Sequence, residues 1–245
     1  MRYLGLALYA EGKSDYLFLG PLLLRLCEQL CDRWADEPIE IGSVVGIDAD
    51  HRKPARKPGR EDRIIEAIKK VPEASILFVH SDAGNDRSKA IENCIEPARQ
   101  LLSEKAGDSD RSERRIVAVV PIRESEAWIL ADGDAWRKAT ESTLGNEDLS
   151  FPLKPQEVEQ IGDPKSVLNQ TLDIIDNHRG RRRIQAADYF TIVGQAINLE
   201  KLGRIPAFQA LSEELIGALR DLRFLPQSEG RQIKAPASLP PPPTP

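Results

Sequence analysis

Residues 75–87 read SILFVHSDAGNDR. The segment from Ser75 to His80 is nearly unbroken in its apolar character, and a carboxylate, Asp82, follows it at once. A short apolar run bounded by Asp and Gly reads as a strand buried on both faces, the kind found in a parallel sheet. Gly84 and Asn85 then permit a sharp turn, after which Asp86 comes back toward the strand end. Two other runs end the same way. LGLALYA at 4–10 leads into Glu11, and IVAVVPI at 116–122 leads into Arg123, Glu124 and Glu126. In a parallel α/β sheet all strand C-termini lie along one edge, and ligands bind there. Carboxylates more than a hundred residues apart in sequence are therefore expected to converge. Their hard oxygens suit Mg²⁺ or Mn²⁺ and phosphate chemistry.

Working outward from that strand, helix and strand signals alternate. Tyr3–Tyr9 reads as the first strand, and Ser14 is placed to cap a helix reaching about Trp34, with Pro21 as a kink or late first-turn residue. Ile39–Ile47 is a second strand, Glu61–Val71 a helix, Lys89–Leu102 a helix after the third strand, and Ile116–Val120 a fourth strand. A polar loop at Gly107–Glu113 precedes that last strand, and Glu124–Leu130 reads as helical after it. The predicted class is α/β: a mostly parallel sheet flanked by helices over residues 1–132. Beyond Asp132 no strand signal remains. Helices are expected from Asp163-Pro164, over Ala187–Leu202 and over Pro206–Leu222, forming a helical extension at 133–226 packed on the sheet domain. Residues 227–245, ending SLPPPPTP, lack the composition to bury a core and read as a disordered or polyproline tail.

The chain has 245 residues and a formal net charge of -5, with 40% hydrophobic residues. That is enough for one large domain or a domain with an appendage. The acidic balance means that any nucleic-acid contact must come from local basic patches. Two stand out: HRKPARKPGR, with Arg52, Lys53, Arg56, Lys57 and Arg60, and RGRRR, with Arg179, Arg181, Arg182 and Arg183. Each reads either as a phosphate-contacting patch or as a solvated charge run. Cys27, Cys31 and Cys94 show no CxxC spacing and read as packed thiols rather than zinc ligands. No segment has the length of a membrane span or a secretory signal, so a soluble, cytoplasmic protein is expected.

Of the carboxylates, Glu11 after strand one is read as a metal ligand or acid/base group, beside a helix N-terminus suited to an anion. Lys13 and Asp15 read as solvated. Asp82 and Asp86 can share a divalent ion, with helix capping as the alternative for Asp86. His80 reads as a packed strand residue. Asp48 and Asp50 form a literal Asp-x-Asp after strand two. Glu124 and Glu126 are two apart, so only one is expected to face the site if both lie on a helix. Arg123 is a candidate counter-charge.

Glu11-Gly12 after the first strand and the Asp82 cluster after the third resemble the TOPRIM domain of topoisomerases, primases and overcoming-lysogenization-defect nucleases. EGKSDYLFLGPLL, VHSDAGND, PIRESEAWILAD and DPKSVL more closely resemble a bacterial TOPRIM-like family of unknown function, often encoded beside ATPases in defence or mobile loci. The resemblance implies a metal-dependent nuclease acting on DNA or RNA with Mg²⁺ or Mn²⁺, and an ATPase as protein partner. It makes Glu11 and Asp82 the catalytic positions, with Asp86, Glu124 or Glu126 completing the metal site. Where the motif has its second aspartate, this chain has Gly84. A non-catalytic partner-binding module and a small-molecule phosphohydrolase are the alternatives. The absence of a GxxxxGK[ST] run argues against a P-loop ATPase.

Overall fold

A computed structural model describes residues 1–47, 59–105, 114–145, 147–149, 151–152, 154–179 and 185–227. Asp48, Asp50, Arg52, Lys53, Arg56, Lys57, Arg181, Arg182, Arg183, the 107–113 loop and residues 228–245 lie outside the described residues.

Four strands form one parallel sheet in the order β2-β1-β3-β4, where β1 is Arg2–Tyr9, β2 Ile39–Gly46, β3 Ala74–His80 and β4 Arg115–Val119. The class expected from the sequence is the class observed. Strand residues alternate between two cores. Leu4, Leu6, Leu8, Ile76, Phe78, Val117 and Val119 face helix α1 (Lys13–Trp34) and the C-terminal helices. Ala7, Tyr9, Leu77, Val79, Ala118 and Val120 face α2 (Arg60–Ile68) and α4 (Glu96–Lys105). The chain moves outward from β1 to β2, then returns across β1 to β3 and β4. Crossovers thus leave β1 and β3 in opposite directions, which makes the gap between their C-termini the topological switch point of the sheet.

α1 begins two residues earlier than the Ser14 cap predicted. Gly12 is the N-cap, and the Asp15 carboxylate reaches back to its N–H at 2.9 Å. Pro21 lies inside the helix, beyond the first turn. The helix after β3 starts at Arg87, because Asp86 caps it by accepting from the Lys89 N–H at 3.1 Å. It runs as α3 (Arg87–Ala90), a π turn (Ile91–Ile95) and α4. Glu124–Leu130 yields only a single turn, α5 (Glu126–Ile129).

The C-terminal part adds α6 (Gly133–Thr140), a 3₁₀ turn (Pro155–Gln160), α7 (Pro164–Arg179), α8 (Ala187–Ala196), α9 (Leu199–Leu202) and α10 (Pro206–Asp221). α6 was not expected. Its signal was the Asp132 N-cap, which accepts from the Asp134 N–H. The helix expected over Ala187–Leu202 is broken at Ile197-Asn198, where the Asn198 side chain caps α9 by accepting from the Glu200 and Lys201 N–H groups. These helices share the first core with the sheet: Trp128 packs edge-on to Phe208, ring centroids 5.3 Å apart, and Phe18 of α1 meets Phe190 of α8. α10 also covers the edge of β4. Glu214 accepts from the Ala118 N–H at 2.8 Å, and Arg99 of α4 donates to the Ile116 carbonyl and to Glu214.

Candidate functional site

Glu11 and the Ser81-Asp82 turn emerge at the switch point between β1 and β3, so the topology brings two of the three sequence clusters together. Glu11 Oε1 accepts from Ser81 Oγ at 3.0 Å and from Arg60 at 2.6 Å. The second Arg60 nitrogen donates to the His80 carbonyl at 2.6 Å. Arg60, expected in a phosphate-contacting loop, is the first residue of α2 and braces the two strand ends. Glu11 Oε2 carries no hydrogen bond among the described residues, and the Asp82 side chain is 39% exposed.

Beneath them lies a buried polar chain that the sequence did not announce. His80 follows the parity of Ile76 and Phe78, so it points toward α1, and it is fully buried. Its Nε2 lies 3.2 Å from Asp82 Oδ1 and its Nδ1 3.7 Å from Asp15 Oδ2, neither contact being aligned as a hydrogen bond. Asp15 corrects an expectation. It is buried rather than solvated, because its position in the first turn of α1 folds it back over Gly12 and against the loop after β4. There Ser125 Oγ donates to Asp15 Oδ1 at 2.7 Å and also lies 3.3 Å from Glu126 Oε2. A capping-box reading of Gly12-Lys13-Ser14-Asp15 would have located Asp15.

The Glu124/Glu126 ambiguity resolves into two roles. Glu124 accepts from the Lys165 N–H at 2.8 Å and so ties the start of α7, the DPKSVL segment, to the sheet edge. Glu126 is buried beside Ser125. Burial raises its carboxyl above the ordinary glutamate range, and the nearby Glu124 and Asp15 charges push the same way against its own backbone N–H and Lys165. Asp86 is committed to its cap and to an ion pair with Lys89 at 3.6 Å.

The loops after β3 and β4 are zipped together. Gly84 and Arg123 exchange backbone hydrogen bonds of 3.3 and 2.7 Å, and both residues have positive φ, 56° and 69°. Arg123 thus adopts a backbone conformation that costs a non-glycine residue about 1–2 kcal/mol. Gly84 is there without penalty.

A cleft of about 540 Å³ opens beside Glu126, walled by the starts of three helices: Ser14 of α1, Lys165 and Asn169 of α7, and Gln185 and Phe190 at α8. Among the described residues, no three His, Cys, Asp or Glu side chains close on a common point suited to a metal ion. No described helix is long and apolar enough to cross a membrane. No protein family, curated protein or solved structure matches this chain in comparisons.

Proposed function

We propose that this is a TOPRIM-like, metal-dependent nuclease that hydrolyses phosphodiesters at the β1/β3 switch point. The observation that carries the reading is the joining there of Glu11 and the Ser81-Asp82 turn, linked through buried side chains to Glu126. The donor set suits Mg²⁺ or Mn²⁺. Mg²⁺ keeps several waters and takes one or two carboxylates plus substrate phosphate oxygens, so it needs no closed protein cage. Glu11 through Oε2 and Asp82 through its exposed carboxylate would hold the ion. When bound it lowers the pKa of its water and neutralises phosphate charge. Arg60 directs its two terminal nitrogens to Glu11 and to the His80 carbonyl, and so fixes the Glu11 carboxylate at the strand end. Arg60 and Ser81 hold Glu11 in place through Oε1, which leaves Oε2 either to hold the ion or to accept a proton from the attacking water.

Plasmid DNA and single-stranded RNA, incubated with the protein in Mg²⁺, Mn²⁺ or EDTA, test this directly. Cleavage is expected with metal only, and Glu11→Gln and Asp82→Asn should each reduce it by about 10²-fold or more. Cleavage in EDTA, or retained by both variants, would sink the reading.

A second reading, a partner-binding module docking an ATPase, draws on three observations: Glu11 is ion-paired with Arg60, Asp86 caps a helix, and Gly84 supplies no carboxylate. It predicts no cleavage of either substrate, with or without the ATPase, together with complex formation on size-exclusion chromatography.

A further inference from the structure

The ion pair between Arg60 and Glu11 places a cation inside the switch point itself. The Arg60 guanidinium donates to Glu11 Oε1 and to the His80 carbonyl, each at 2.6 Å. It lies 5.8 Å from the centroid of the Tyr9 ring, and its side chain is 22% exposed. Its Nε is buried and has no acceptor among the described residues. The guanidinium is therefore inserted between the ends of β1 and β3 rather than laid on the surface. Guanidinium groups stay charged in proteins, so this is a permanent positive charge. The buried Ser81 donates to the same oxygen, Glu11 Oε1, at 3.0 Å. The orientation of Glu11 thus does not depend on Arg60 alone.

A fixed cation on a ligand carboxylate has two opposite effects. It repels a divalent ion held by the other oxygen of that carboxylate, and it attracts a phosphodiester anion. Both terminal nitrogens are committed, so Arg60 acts on the phosphodiester through its charge and not by a direct hydrogen bond. Glu11 and Asp82 bring negative charge to the strand ends, and Arg60 cancels the share of one of them. A divalent ion added to these three groups leaves a positive charge that one phosphodiester monoanion neutralises. Without Arg60 the ion would neutralise the two carboxylates and leave no net charge for the phosphodiester to meet. Charges beneath and around them, Asp15 and His80 included, are the same in both cases.

The geometry points to Arg60 as a built-in counter-ion that lowers metal affinity and raises phosphodiester affinity. The switch point holds its ion weakly until a phosphodiester arrives, and the two then bind together. This inference rests on the phosphodiesterase reading of the switch point and adds to it what sets the affinity for each ligand.

Calorimetry on the full chain with Mn²⁺, and with dimethyl phosphate as a minimal phosphodiester in saturating Mn²⁺, reads both halves apart from nuclease activity. Arg60→Gln is expected to bind Mn²⁺ about tenfold tighter than the parent and dimethyl phosphate about threefold more weakly, the scale of a unit charge acting on a divalent and a monovalent ion at water-like screening. A purely structural role would weaken both, so the opposite signs mark the charge. Arg60→Lys keeps the charge without the fork and should bind Mn²⁺ within about twofold of the parent. A cooperative melting transition verifies that each variant is folded. In the parent, Mn²⁺ and dimethyl phosphate should tighten each other's binding by the same factor, a readout that needs no variant. The inference is overturned by an Arg60→Gln protein that binds Mn²⁺ no tighter than the parent, by an equal gain in Arg60→Lys, or by independent binding of the two ligands in the parent. Metal-dependent cleavage with Mn²⁺ affinity unmoved by Arg60→Gln removes the counter-ion and leaves the nuclease. Opposite shifts without cleavage of plasmid or RNA leave the counter-ion and remove the nuclease.

Discussion

At the residue scale, Glu126 shows how strongly its surroundings act on one carboxyl. Burial, with two acidic neighbours, lifts its affinity for a proton in the folded chain above that of the unfolded chain, whose ordinary value is 4.5. Above that value the folded state binds more protons than the unfolded state, so stability falls as pH rises through the window between the two values. Glu126→Gln removes the term. The variant is expected to be more stable than the parent near neutral pH, with the difference closing as pH falls below about 4.5, the ordinary glutamate value. Urea titrations across that range check it, and a gap that widens in acid would refute it. Gly84 is the companion case. Its φ of 56° is one that Asp tolerates better than most residues, and a Cβ there meets nothing within 4 Å. Gly84→Asp should fold at a cost of about 1 kcal/mol, roughly 2–4 °C in Tm. It should also bind Mn²⁺ more tightly by calorimetry if the switch point is a metal site. Unchanged metal binding in a folded variant would count against that site. The positions of Glu11 and Asp82 were legible in the sequence because strand runs are dense and local. The burial of Asp15 and His80 was not. The capping box places Asp15 at the start of α1, but its burial depends on how α1 and the loop after β4 meet across more than a hundred residues.

At the element scale, the sheet order leaves β4 on an edge, where unpaired backbone groups invite association with other chains. α10 answers this with a side chain rather than a strand. Glu214 takes the Ala118 N–H and pairs with Arg99, which in turn reaches the Ile116 carbonyl. Glu214→Ala leaves a buried N–H without its acceptor, at an expected cost of about 1–3 kcal/mol. Glu214→Gln keeps an acceptor for Ala118 and should recover part of that loss. Chemical denaturation of the three proteins orders them parent, Gln, Ala, and an Ala variant as stable as the parent would show that the contact contributes little. The pairing of α10 with β4 was beyond sequence reading, although both elements were expected, because the partner of an edge strand is a tertiary choice. α6 was missed for a different reason. Its apolar stripe of Ala135, Trp136 and Ala139 is too short to register a helical period, and only the Asp132 cap marked its start.

At the scale of the whole molecule, the sheet and the C-terminal helices are held by one continuous core. Phe18, Leu19, Leu22 and Leu26 of α1 belong to the same buried cluster as Phe190, Val193, Phe208 and Leu211. α1 and α8 approach so closely that a Cβ on Gly194 would lie 2.5 Å from the Phe18 carbonyl oxygen. The sequence change near Asp132 marks a switch from α/β to all-α pattern, but the packing does not divide there. Two of the walls of the cleft beside Glu126, α7 and α8, also come from beyond that point. A fragment of residues 1–132 would expose the inner face of α1, the indole of Trp128 and the edge of β4 together. It is expected to keep helical far-UV dichroism while losing near-UV signal and cooperative unfolding, and to bind a hydrophobic dye. Restoring residues 133–227 on the same chain should bring back a single transition. A fragment that unfolds cooperatively with native near-UV dichroism would show instead that the sheet is self-sufficient. The helices would then be an added layer rather than half of the core.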